Sequence, residues 1–209
     1  MTVLPGLIDN KFFPRITKAI AVGSLLFLGA CGTTSNLESA APSENSSKPQ
    51  LSAFEKIYIA DTTSSYSDED YSPQKMASVG REFSDMIAGR TRATGAFSEV
   101  RRVSTSDEAR KEAEQENVPV ALVNANITRY EDGNALARAM IGFGAGSSYF
   151  NSDIIVSDAK TGTVVGRIKA DKNSWVLGGA IAATQDARSY MPGVASKVAA
   201  ELQKGKTGK

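Results

Sequence analysis

The sequence predicts an α/β (α+β) fold, a mixed β-sheet of about five strands with helices packed on one face, preceded by a signal peptide and a flexible tether. Segments that alternate apolar and polar residues, typical of strands, are separated by segments whose apolar residues recur at helical spacing. Two further alternating segments flank a glycine-containing turn. Strands that alternate with helices and then end in a hairpin favour a mixed sheet.

Five segments carry the strand pattern. They are Phe54–Asp61, Ala96–Val103, Val118–Thr128, Asn151–Asp158 and Thr163–Asp171. The third is rich in apolar and β-branched residues, so we place it at the centre of the sheet. The last two flank Ala159-Lys160-Thr161-Gly162, which predicts a hairpin with glycine in its turn.

Three segments carry the helix pattern. The first begins with Ser72 as N-cap and Pro73 as first helical residue, and it ends at Gly95. Its apolar residues share one helical face: Met76, Val79, Phe83, Met86 and Ile87. The second, from Thr105 to Asn117, is highly charged and therefore predicted to be short and exposed. The third runs from Ala180 to Leu202 and is predicted to be interrupted at Pro192.

The first thirty residues have the parts of a secretory signal peptide. Lys11, Arg15 and Lys18 precede a short apolar run from Ala19 to Leu28. A membrane-spanning helix needs ~20 consecutive apolar residues, about twice the length of this run. The sequence therefore favours an export signal over a transmembrane anchor.

The end of this segment, Leu28-Gly29-Ala30-Cys31, resembles the lipobox of bacterial lipoproteins. That resemblance implies cleavage before Cys31, a diacylglyceryl group on its thiol and acylation of the new amino terminus. The expected first partner is thus a membrane, bound through lipid on Cys31. Gly32 stands where an Asp would signal retention in the inner membrane, so we expect the outer membrane of a Gram-negative bacterium, with the domain facing the periplasm.

Composition divides the chain into four parts. Residues 1–30 are the signal peptide, and 31–50 are the lipidated N-terminus and a flexible linker. The stretch from Thr33 to Gln50 is rich in Ser, Pro, Asn and Glu and has no apolar periodicity, which is typical of a tether. Residues 51–204 form a single periplasmic α/β domain, and 205–209 form a polar tail.

The residue inventory excludes several classes of function. The chain has 24 basic and 23 acidic residues, no histidine and one cysteine. No field of one sign steers it to nucleic acid, so no nucleic-acid partner is expected. With Cys31 lipidated, no histidine or free thiol remains for a metal or a Cys- or His-assisted nucleophile. We therefore expect no metal, no cofactor, no catalytic residue and no enzymatic activity.

A glycine-rich segment is the one compositional anomaly in the domain. Gly142, Gly144 and Gly146 alternate with Phe143 and Ala145. The segment lacks both the G-x-G-x-x-G pattern and the G-K-S/T of a phosphate loop, which disfavours nucleotide binding. It is either a loop that packs within its own domain or a face for a second copy or a partner. The residues of this packing or partner surface are Arg138, Gly142, Phe143, Gly144 and Gly146.

Three carboxylates lie in or beside the predicted hairpin. Asp158 precedes the turn and is expected to cap it. Asp153 and Asp171 would have to converge to perform acid–base chemistry, and strand spacing alone does not bring them together. Ser147 and Ser148 have no histidine or evident lysine partner in the sequence, which disfavours a serine nucleophile.

The stretch from Ala121 to Gly166 resembles the domain-of-unknown-function 4410 family. The matching residues are Gly133-Asn134, Arg138, the glycine run 142–146, Val156, Asp158, Thr161-Gly162 and Gly166. The resemblance implies a periplasm-facing lipoprotein with a mixed α/β domain, and it brings no catalytic residues.

These observations predict a non-enzymatic envelope lipoprotein that binds an envelope protein, the cell wall or a second copy of itself. Two alternatives remain open. The first is a subunit of an envelope export or secretion assembly that oligomerises through the segment Gly142–Gly146. The second is a carboxylate-dependent hydrolase of envelope polymers.

Overall fold

A computed structural model describes residues 37–39, 50–134, 146–173 and 186–209. Within these residues the chain forms seven strands and three helices. The strands are β1 (Leu37–Ser39), β2 (Lys56–Ala60), β3 (Thr63–Ser64), β4 (Glu99–Val103), β5 (Val120–Glu131), β6 (Tyr149–Asp158) and β7 (Val164–Asn173). The helices are α1 (Pro73–Ala93), α2 (Ser106–Glu114) and α3 (Ala187–Thr207).

The strands form one mixed sheet in the order β1-β7-β6-β5-β2-β4, with β3 also paired to β5. The strands β5, β2 and β4 are parallel, whereas β5, β6, β7 and β1 are antiparallel neighbours. The predicted mixed sheet is therefore confirmed, and its five long strands are the five predicted ones. The strands β1 and β3 have only three and two residues, too few for an alternating pattern to show.

The helices α1 and α3 cover one face of the sheet, here called the helix face. Alternate residues of the strands, such as Ile57, Val123 and Ile154, point into this core. From α1, Phe83 meets Phe150 of β6 edge-on, with ring centroids 4.8 Å apart. Aromatic pairs in this arrangement add ~0.5–1.5 kcal/mol beyond the burial of their surface.

The helix α2 packs on the opposite face, which corrects the prediction that all helices share one face. Ala109 and Ala113 of α2 are fully buried against a second cluster that contains Tyr58 and Leu122. The physical reason is the handedness of crossovers between parallel strands. The connection from β2 to β4 and the one from β4 back past β2 to β5 run in opposite directions, so two right-handed crossovers place their helices on opposite faces.

The start of α1 follows the prediction. The Ser72 side chain accepts a hydrogen bond from the backbone N–H of Lys75 at 3.2 Å, and Pro73 is the first helical residue. The helix ends at Ala93, and Gly95 follows with a φ of +64°. Left-handed backbone after a helix is the usual position for glycine.

The last helix differs from its prediction at both ends. It is capped by Asp186, and the predicted start at Ala180 lies outside the described residues. Pro192 lies inside the helix and does not interrupt it, because a proline removes a single backbone hydrogen bond while the buried face of α3 continues on both sides. The helix continues past Leu202 to Thr207, so part of the predicted polar tail is helical.

The first strand lies inside the stretch predicted to be a flexible tether. Leu37 pairs with Ile168 of β7, packs against the core, and its backbone N–H donates to Glu201 of α3 at 3.3 Å. Residues 37–39 therefore form a short edge strand within the stretch predicted as a tether. The partly buried Leu37 side chain holds this strand against the core, although the surrounding residues are rich in Ser and Pro.

The sheet has two distinct ends. At one, Glu131, Tyr149 and Asn173 are neighbours across β5, β6 and β7, and we call it the Asn173 end. At the other, the hairpin end, Asp158 and Gly162 close the turn between β6 and β7, and Gly162 has a φ of +73°. This confirms the predicted hairpin. No helix in the described part of the chain is long and apolar enough to cross a membrane.

Candidate functional site

The antiparallel half of the sheet has a face that no described helix covers, and we call it the open face. It follows from alternation along the strands, because Ala125, Ile154 and Ile168 point into the helix-face core and their neighbours point the other way. The residues of the open face are Asn124 and Asn126 of β5, Asp153 and Ile155 of β6, and Arg167, Lys169 and Asp171 of β7.

A groove of about 370 Å³ runs across the open face, lined by polar side chains of β5, β6 and β7 and by Thr63 of β3. Its two amides are held in place. Asn126 accepts from the Thr63 hydroxyl at 3.1 Å and donates to Ser65 at 2.8 Å, and Asn124 lies 2.7 Å from the Ser106 hydroxyl. The wall on the β5 side is thus a fixed polar surface.

The other wall of the groove carries charge. Arg167, Lys169 and Asp153 are exposed, and Asp153 lies directly across from Lys169 in the register of β6 and β7. Within the described residues, the side chains of Arg167 and Lys169 form no ion pair or hydrogen bond. Two cations that have no ion-pair partner among the described residues, beside Asp153 and Ile155, form a surface suited to an anionic or polar partner.

A second cavity, of about 620 Å³, lies at the Asn173 end. Tyr66, Tyr71 and Tyr149 line it, together with Asp68, Asp70, Glu131 and Asp132. Burial, followed by the hydrogen bond to Asp68, raises the pKa of Tyr66 to about 12. Burial likewise raises the pKa of Tyr71. These phenols therefore stay protonated at neutral pH and act as hydrogen-bonding groups rather than bases.

Arg129 stacks on Tyr149, one of the residues that line this cavity. The guanidinium lies 3.4 Å from the centroid of the Tyr149 ring and forms a 2.6 Å ion pair with Glu131. The backbone N–H of Asn134 donates to the carbonyl of Gly146 at 2.9 Å, which closes the base of the connection between β5 and β6.

An ion-pair network joins β2, β4 and the end of α2. Lys56 contacts Glu99 at 2.9 Å and Glu116 at 2.7 Å, and the Tyr58 hydroxyl donates to Glu116 at 2.9 Å. The hydrogen bond from Lys56 is the main cause that lowers the pKa of Glu116. Burial, followed by the bond to Glu116, raises the pKa of Tyr58 to about 12. The sequence alone does not reveal this network, because its members lie far apart along the chain.

Most residues of the predicted packing or partner surface lie outside the described residues. These are Arg138, Gly142, Phe143 and Gly144, and the predicted lipidation site Cys31 also lies outside the described residues. Gly146 is described, and it has a φ of +67°.

The two serines that follow Gly146 are partly or fully buried in the domain. Ser148 is fully buried, and its hydroxyl lies 3.0 Å from the Tyr190 hydroxyl of α3. Ser147 is half-buried. A buried hydroxyl that meets a tyrosine ties the start of β6 to α3.

The structure separates the roles of the three hairpin carboxylates. Asp158 accepts hydrogen bonds from the backbone N–H groups of Lys160 at 2.9 Å and Thr161 at 2.8 Å, which confirms that it caps the turn. Asp153 and Asp171 are exposed diagonal neighbours on the open face.

The described residues include no group of three or more Asp, Glu or Cys side chains placed to hold a metal ion. The arrangement offers fixed amides, two cations that form no ion pair among the described residues, and a tyrosine-lined cavity at the sheet end.

Together the fold and the open face define a single α+β domain with a mixed sheet, covered by helices on one side and open on half of the other. The model of the family described as "Domain of unknown function (DUF4410)" matches residues 57–178, and the chain belongs to this family. The match spans the sheet from β2 to β7 and confirms the resemblance seen in the sequence. No curated protein matches the chain.

Solved structures of PelC share the fold. A PelC dodecamer from Paraburkholderia phytofirmans superimposes with a TM-score of 0.54 at 17% identity, covering 82% of this chain and 98% of that one. Protein XCC0632 from Xanthomonas campestris, of family DUF330, gives a TM-score of 0.46 at 10% identity, with 78% and 91% covered. At these identities the likeness to PelC concerns the fold alone.

Proposed function

We propose that this protein is a lipid-anchored envelope lipoprotein whose domain serves as a non-enzymatic binding or assembly module. The observation that carries the proposal is the lipobox Leu28-Gly29-Ala30-Cys31 behind a short apolar run. Acylation at two or more positions holds a protein stably on a bilayer, whereas one chain holds it only reversibly. Gly32, in place of Asp, supports the outer membrane, with the domain facing the periplasm.

The chemistry of the domain supports a binding role over catalysis. The chain has no histidine, and lipidation occupies its single cysteine. The exposed carboxylates Asp153 and Asp171 stand among amides and cations on the open face, an arrangement that suits contact with a polar partner.

We further propose that the domain associates with copies of itself. The fold it shares is found assembled as a dodecamer in PelC. The open face offers a surface for such contacts, since half of the sheet lacks a covering helix among the described residues. Self-association of the domain supports the alternative stated above, a role as a subunit of an envelope export or secretion assembly.

Metabolic labelling tests the anchor. Cells that express the full chain are grown with radiolabelled palmitate, and we expect label in the wild type and none in Cys31→Ser, which should accumulate as uncleaved precursor. Separation of inner and outer membranes should place the labelled protein in the outer membrane. Absence of label from the wild type would reject the lipoprotein assignment.

Native mass measurement tests the assembly. The lipidated protein, extracted in mild detergent, is expected to give a mass that is a multiple of the protomer. The same preparation incubated with peptidoglycan should release no muropeptides. Release that is lost in Asp153→Asn would instead establish the carboxylate-dependent hydrolase.

A further inference from the structure

The N-terminal strand fixes where the chain enters the domain. The strand β1 pairs antiparallel with β7, with Leu37 opposite Ile168 and Ser39 opposite Gly166. The Leu37 side chain packs beside Leu51 and Gly205, and its backbone N–H bonds to Glu201. The domain therefore starts at Leu37 rather than after Gln50.

This placement shortens the connection to the membrane. Composition alone predicts a linker of about twenty residues, which would let the domain tumble freely. With Leu37 held in the sheet, only residues 32–36 separate it from Cys31. At ~3.3–3.6 Å per extended residue, the acylated cysteine lies within ~20 Å of β1.

Strand direction then selects one end of the sheet. Because β1 is antiparallel to β7, the residues before Leu37 enter from the side of Lys169 and Asn173, and the residues after Ser39 leave toward the hairpin end. The β7 strand rises ~3.3 Å per residue, so the five residues from Ile168 to Asn173 cover ~17 Å. The reach of the short connection matches that distance.

The described residues at both ends of the sheet are polar. The Asn173 end carries the carboxylates of its cavity, Asp68, Asp70, Glu131 and Asp132, with Glu131 paired to Arg129, and the hairpin end carries Asp158 and Lys160. Charge therefore does not distinguish the two ends, and the direction of β1 does.

We propose that the Asn173 end of the sheet, formed by Glu131, Tyr149 and Asn173, faces the phospholipid surface, and that β1 holds it there. Tyr149 and its stacked Arg129 stand at this end, an aromatic ring and a cation of the kinds that favour the headgroup region. The hairpin end and its turn point into the periplasm. This inference rests on the proposed lipid anchor at Cys31.

Depth-dependent quenching tests the orientation. Acylated Asp171→Cys and Thr161→Cys variants, both exposed positions at opposite ends of the hairpin, are labelled with a fluorophore. Each is reconstituted in phosphatidylethanolamine and phosphatidylglycerol vesicles that contain a lipid spin-labelled at the headgroup. We expect several-fold stronger quenching at position 171 than at position 161. Equal or reversed quenching would overturn the inference.

Two controls separate this inference from the anchor itself. Palmitate incorporation is measured in the same preparations. A chain that incorporates no palmitate would reject the proposed function. A lipidated chain in which quenching at position 161 equals or exceeds quenching at position 171 would reject only the orientation. A Gly-Ser insertion of twenty residues between Asn36 and Leu37 restores a long connection. We expect it to leave folding intact and to abolish the difference between positions 171 and 161. A difference that persists would show that β1 does not set the orientation.

Discussion

The parallel and antiparallel halves of the sheet are covered differently. In the parallel half, β2 is buried on both faces, because Ile57 and Ile59 lie in the helix-face core while Tyr58 and Ala60 lie in the cluster with α2. In the antiparallel half, β6 and β7 are buried on one face only. Parallel strands need crossover helices, and two crossovers in opposite directions supply one for each face. Hairpin strands need none, which leaves the open face for contacts outside the domain.

The largest expected contrast lies between one residue on each face. Phe83→Ala removes a fully buried ring from the helix face and should lower the free energy of unfolding by ~3–5 kcal/mol. Ile155→Ala removes a half-buried side chain from the open face and should cost about 1 kcal/mol. Urea denaturation of the two variants measures both. Similar losses would show that the open face is buried as deeply as the helix face.

Two glycines of α1 sharpen the comparison within the helix face. At Gly80 a Cβ atom would overlap the backbone carbonyl of Thr62, so Gly80→Ala should destabilise by ~1–3 kcal/mol. At Gly89 a Cβ atom would meet nothing within 4 Å, and Gly89→Ala should stabilise the helix by ~0.5–1 kcal/mol. Opposite shifts in the denaturation midpoint are expected. A neutral Gly80→Ala would mean that α1 does not lie this close to the backbone of Thr62, between β2 and β3.

Local patterns in the sequence were enough for most of the sheet and for one helix start. Alternation located the five long strands, and Ser72-Pro73 located the start of α1. These features depend on neighbouring residues alone. The position of α2 could not be predicted in this way, because it depends on the order of strands in the sheet, which is a property of distant pairings.

The candidate site was less predictable than the fold. The open face requires that Asn124, Ile155 and Arg167 become neighbours, and strand register, not spacing along the chain, brings them together. The strand β1 was missed for a different reason. Three residues within a polar stretch carry no periodicity, and Leu37 finds its pocket only once α3 and β7 are in place.

Acid should weaken the parallel half through its ion-pair network. Hydrogen bonds from Lys56 lower the pKa values of Glu99 and Glu116 below their ordinary value of 4.5. A carboxyl whose pKa is lower in the folded state stabilises the fold above its unfolded pKa, and that contribution is lost as the pH falls through the folded pKa. Thermal stability should therefore decline as the pH falls below about 4.5. Glu116→Gln should make the decline of melting temperature shallower, whereas an unchanged slope would assign it to other carboxylates.

The smallest expected effect on stability is at the open face, where the largest effect on association is expected. Arg167→Gln with Lys169→Gln removes two exposed cations that form no ion pair among the described residues, so unfolding should shift by less than ~0.5 kcal/mol. If this face contacts a second copy, the same double variant should lose the oligomer mass in mild detergent.

Lys197→Gln, on an exposed position of α3 across the sheet, is the matched control and should keep that mass. Retention of the oligomer by the double variant would exclude these cations from the contact, and its loss in Lys197→Gln would move the contact to the helix side. Because both readouts come from one preparation, a stable monomeric double variant would separate association from folding.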